Sequence, residues 1–165
     1  MTRYPRPLVI LHWLVALLVI LALVAGKVIL EPTPNSDPAK LTSLMGHMTI
    51  GGLIGALILT RLVIRLRSGA PPAANALAPL VHWALYGLVI LMVASGIAMS
   101  LGYGLPGIVF GGTGTLPAQF EGTPRAVHGL VSGALILLVL LHIAAGLYHA
   151  VIKKDGIMAR MSLRR

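Results

Sequence analysis

RAVHGLVSGALILLVLLHIAAGLYHAVIKK, residues 125–154, is the stretch from which the architecture follows. It is a long apolar run carrying three histidines, His128, His142 and His149. On a helix, His128 and His142 fall within about 40° of one face and roughly 21 Å apart along the axis, and His149 follows near the same stripe. An imidazole in so apolar a segment is expensive to retain, so its default reading is functional. Three on one face point to something bound.

The remainder of the chain has the same character. Its 165 residues are 57% hydrophobic and only 10% charged, with a mean hydropathy of +0.92, which excludes an ordinary soluble domain. Crossing a hydrocarbon core takes about 20 apolar residues, and stretches at about 8–29, 44–64, 80–101 and 125–152 meet that length. Backbone groups at that depth must be satisfied internally, so the expectation is an all-α, four-helix transmembrane bundle forming a single integral-membrane domain, 1–165.

Charge sets the orientation. Of thirteen Lys and Arg, ten lie at the N-terminus, after the second stretch and in the tail: Arg3, Arg6, Arg61, Arg65, Arg67, Lys153, Lys154, Arg160, Arg164 and Arg165. Only Lys27, Lys40 and Arg125 belong to the other face. By the positive-inside rule both termini are cytoplasmic, and residues 27–44 and 102–124 face outward. The formal charge of +9 is thereby explained by helix ends rather than by a basic stripe, so no nucleic-acid partner is expected. The first stretch follows Arg3 and Arg6 as a secretory signal would, but its length and His12 favour a retained helix.

With no cysteine, disulfides, thiolate metal sites and iron–sulfur clusters are excluded together. All four acidic residues, Glu31, Asp37, Glu121 and Asp155, fall in loops or the tail, so no carboxylate enters the hydrocarbon. Proton pumps and cation transporters usually place carboxylates there, which leaves a His-lined metal channel as the weakest reading. Neutral imidazoles suit a metal already charge-balanced by its own macrocycle, and haem held between facing helices is such a metal. Two ligands to one iron must lie at equal depth on different helices. Outside, that pairs His47 with His128; inside, His142 pairs with either His12 or His82, and depth does not choose. Gly46, Gly51, Gly129, Gly133 and Gly146 would admit a flat macrocycle or, equally, close helix packing. Met45, Met48, Met92 and Met99 read as packing residues.

Two internal echoes accompany this pattern. LHWLVALLVI in the first stretch resembles VHWALYGLVI in the third, and GHMTIGGLIGALILTRL in the second resembles VHGLVSGALILLVLLHI in the fourth, where Arg61 takes the register of His142. The second outer loop, with seven glycines, is expected to be irregular.

Taken together, a His near the inner end of the first helix, GHxxxG opening the second, HW on the third, and HGxxSG with LHxxAxLxH on the fourth resemble the bacterial cytochrome b561 family over essentially the whole chain. The resemblance implies two haems b, with His12 and His142 as ligands of the inner haem and His47 and His128 as ligands of the outer one. It implies a role in quinone binding, or in its proton supply, for His82 and His149. Arg61 and Arg65 are plain inner-face cations or partners of the inner haem's propionates. Stand-alone members of the family are similar to superoxide oxidases, which pass electrons from external superoxide to ubiquinone. That implies a multi-pass protein of the bacterial inner membrane, with superoxide or another periplasmic donor, quinone and lipid as its partners. The alternative is a di-haem cytochrome b anchor subunit of a hydrogenase- or formate dehydrogenase-like complex; the short loops favour the stand-alone branch.

Overall fold

A computed structural model describes residues 3–69, 71–73 and 75–163. Arg164 and Arg165, assigned above to the inner face, lie outside them. Four long helices run α1 (Arg6–Ala25), α2 (Pro38–Ser68), α3 (Leu77–Gly102) and α5 (Gly122–Leu147), with a short α4 (Leu105–Gly111) between the last two. Single π-helical segments continue α1 through Gly26–Leu30 and α5 through Tyr148–Lys153. No strand occurs among the described residues. All four long elements are apolar and long enough to cross a membrane, and they display large side chains such as Leu130 and Ile152 on their outer surfaces, as helices solvated by lipid do.

Helix ends differ from the hydropathy boundaries because capping, rather than hydrophobicity, decides them. α2 begins six residues before the expected position of 44, since Asp37 accepts a hydrogen bond from the Ala39 N–H at 2.8 Å and Pro38 occupies the first turn, where its missing N–H costs nothing. The start of α3 is fixed in the same way. The Asn75 side chain accepts from the N–H groups of Leu77 and Ala78.

The second outer loop is more ordered than its glycines imply. Gly104 and Gly112, both at positive φ, bracket α4, whose Leu105 and Val109 are buried against Leu44 of α2. Tyr103 clamps the next segment by donating to the Glu121 carbonyl and accepting from the Glu121 N–H, and Asn35 of the first outer loop donates to the Pro117 carbonyl.

α3 packs most extensively on α5, α1 on α2, and α2 on α3. Their shared core is Val15, Val19, Ile54, Ile58, Tyr86, Val89 and Leu135. α5 has at most sparse backbone contact with α1 and α2. Both ends of the chain meet at one end of the bundle, where Trp13 Nε1 donates to the Met161 carbonyl and the Tyr4 N–H to that of Arg160.

Candidate functional site

Helix register brings the histidines together in two layers. In the outer layer His47 of α2 faces His128 of α5 with ring centres 6.2 Å apart. In the inner layer His142 of α5 is approached from two sides, by His12 of α1 at 6.1 Å and by His82 of α3 at 5.8 Å. Two imidazoles bound on opposite sides of one metal, with bonds of roughly 2.0–2.1 Å and about 1.1 Å from nitrogen to ring centre, would have their centres about 6.3 Å apart. Each of the three pairs lies close to that spacing.

The surroundings test whether a macrocycle fits. The outer pair lines a cavity of about 940 Å³, at the upper end of the roughly 300–1,000 Å³ range usual for cofactor and ligand sites. Gly51 and Gly52 contribute bare backbone to its wall, with no other group within 4 Å of the position a Cβ would take. His47 Nδ1 is buried without a hydrogen-bond partner. The helices carrying the His47/His128 and His12/His142 pairs are also those held apart, α2 from α5 and α1 from α5. The outer layer therefore has the space and the bare backbone that a flat macrocycle needs. Among the described residues no group of three His, Asp or Glu is arranged to hold a metal ion.

Charged groups flank both layers. Arg61 extends from α2 to donate to the Tyr86 hydroxyl at 2.8 Å and stacks on that ring at 5.2 Å, while its Nε is buried without a partner. It lies near His12, His82 and His142 of the inner layer. Arg65, one turn further on, lies over Trp83 at 5.7 Å. Of the three outer cations, Lys27 is ion-paired with Glu31 at 2.8 Å and buried Lys40 donates to the Leu30 and Thr33 carbonyls beyond α1. Only Arg125, whose guanidinium lies over Gly129, has neither a hydrogen bond nor an ion pair among the described residues.

His149 lies below the inner layer and is not part of it. Lys154, in the left-handed region at φ 52°, turns the chain after the π segment so that Asp155 Oδ2 meets His149 Nδ1 at 2.6 Å. Burial pushes the Asp155 carboxyl up, but the hydrogen bonds it accepts from His149 and the Ile157 N–H outweigh this and hold it below the usual carboxylate range. It is therefore ionised at neutral pH. The sequence placed Asp155 in the tail and had no signal for this pairing, nor for Tyr86 as the partner of Arg61 or Ser95 as the partner of His128.

The sequence pattern of the prokaryotic cytochrome b561 family matches residues 3–162. A curated relative, the probable superoxide oxidase CybB of Yersinia pestis, is 32% identical over 164 residues, covering 92% of this chain and 90% of its own.

Proposed function

Because the chain belongs to the prokaryotic cytochrome b561 family, we propose that it draws single electrons from superoxide outside the membrane and delivers them to ubiquinone, using two haems b held by its histidine pairs. The chain is a multi-pass bacterial inner-membrane oxidoreductase of a transmembrane electron-transfer family. The observation that carries the two-haem reading is the coincidence of imidazole pairs near 6 Å with helices held apart along the same lines.

His47 and His128 would hold the outer haem, and His12 and His142 the inner one. When bound, such haems supply one-electron redox chemistry that no side chain of this protein provides. The protein contributes ligation, spacing, charge and access. Arg61, with its unpartnered Nε beside the inner layer, is suited to a haem propionate, and Arg65 supports it from the next turn. His82 and His149 serve the quinone, His149 with its carboxylate partner Asp155 being placed to pass protons from the inner face. The reaction balances as two superoxide anions losing one electron each to become dioxygen, while one quinone gains both electrons and two protons. With eight of the eleven described Lys and Arg at that end, we place both termini in the cytoplasm.

Arg125 borders the outer cavity and, unlike Lys27 and Lys40, makes no hydrogen bond or ion pair among the described residues. Arg125→Glu is expected to slow superoxide-driven reduction of the purified protein by about three- to tenfold, with unchanged haem content and a weaker dependence on salt. Stopped-flow absorbance with a superoxide source and oxidised quinone measures this. An unaltered rate would remove Arg125 from the path, and reduction only by a co-purifying iron–sulfur protein would favour the anchor-subunit reading.

A further inference from the structure

We propose that Ser95 on α3 sets the tautomer and the orientation of His128, and through them the reduction potential of the outer haem. The inference rests on the two-haem reading and goes beyond it by naming a positioning residue that touches neither iron nor substrate. Ser95 is buried and hydrogen-bonded on two sides: its Oγ lies 2.9 Å from the Met92 carbonyl and 3.0 Å from His128 Nδ1. A carbonyl only accepts, so the single hydroxyl hydrogen goes to Met92 and the Ser95 lone pair faces the imidazole. His128 Nδ1 must then carry the hydrogen and donate it.

A neutral imidazole protonated at Nδ1 keeps its Nε2 lone pair free, the form that can ligate a metal. Were Nδ1 the acceptor, Nε2 would carry the hydrogen and ligation through it would be blocked. Orientation is fixed by the next residue. A Cβ at Gly96 would come within 3.3 Å of His128 Cε1 and 3.6 Å of Nδ1, so the ring rests directly on the α3 backbone. Together Ser95 and Gly96 form a socket for one edge of His128. His47, across the cavity, packs against Gly26, where a Cβ would lie 3.7 Å from its Cε1, but its buried Nδ1 lacks the hydrogen-bond partner that Ser95 gives His128. The two outer ligands are therefore unequal, and His128 is the one whose electron donation the protein controls. Donation from Nδ1–H to an oxygen makes the imidazole more basic, which favours ferric iron and lowers the potential.

Potentiometric titration of purified holoprotein, read optically and by electron paramagnetic resonance, tests this. Ser95→Ala should raise the midpoint of the outer haem while leaving the inner one unmoved, changing the electron-sharing equilibrium between them about three- to tenfold, or about 28–59 mV at 59 mV per tenfold. Ser95→Thr, which restores the hydroxyl, should return the midpoint toward that of the native protein. If Ser95→Ala sheds the outer haem, retention by Ser95→Thr supports the assignment and loss from both overturns it in favour of packing. Two haems in Ser95→Ala with both midpoints unchanged, or an equal shift in Ser95→Thr, also overturns it. A native protein with fewer than two haems overturns the two-haem reading itself, an outcome visible before any variant is made.

Discussion

His128→Ala protein is expected to purify with one haem per chain in place of two, and His142→Ala protein to do the same while keeping the other haem. Under the proposed assignment each substitution would remove one of the two imidazoles that hold a haem, and His128 and His142 lie in separate layers, so the losses should be independent. His47→Ala should match His128→Ala in its remaining spectrum, because those rings face one another at 6.2 Å. Losing one of two imidazole ligands removes a large part of the binding free energy, since bound metal groups also stabilise the fold that holds them. Thermal stability should therefore fall with haem content. Pyridine haemochrome quantification beside protein concentration reads the stoichiometry, and electron paramagnetic resonance identifies which centre remains. Both haems lost from either variant would mean that the layers are one site. Both retained would mean that the histidines only pack.

Much of this arrangement was legible before the fold. Each apolar run is long enough to span, the basic residues cluster at alternate ends, and period 3.6 places His128 and His142 on one side of one helix. Helix ends were less legible, because hydropathy marks only the buried part of a helix, whereas Asp37 and Asn75 start helices outside that part through side-chain hydrogen bonds. The seven-glycine loop misled in a different way. Glycine composition signals turns, but here two glycines at positive φ delimit α4, whose burial depends on Leu44 far away in sequence. Ser95 was invisible for a related reason. Its role requires the rotation of α3 against α5, a contact across 33 positions that no local pattern encodes. The pairing of His149 with Asp155 depends likewise on a left-handed Lys154, a conformation that residue type disfavours.

The inner layer contains three imidazoles where one iron needs two, and His12→Ala is expected to abolish the inner haem while His82→Ala keeps it. Distance alone does not decide, for the His82 ring is nearer His142 than the His12 ring, 5.8 Å against 6.1 Å. Helix packing separates the candidates. α3, which carries His82, packs extensively against α5, whereas α1, which carries His12, has at most sparse backbone contact with α5. A macrocycle is a flat plate several ångströms wide in every in-plane direction, and iron at its centre can be reached from both faces only if the two helices stand apart along its whole edge. The sparse backbone contact between α1 and α5 suits that requirement better than the extensive packing of α3 on α5, an argument independent of the family resemblance that selects the same pair. His82 is then left beside a ligand rather than acting as one, so His82→Ala should keep the inner haem's absorption and slow quinone reduction by about a hundredfold or more, in the range expected for loss of a proton-transferring group. The result that sinks this assignment is the converse, loss of the inner haem from His82→Ala with retention in His12→Ala, which would require α3 to withdraw from α5 when haem binds.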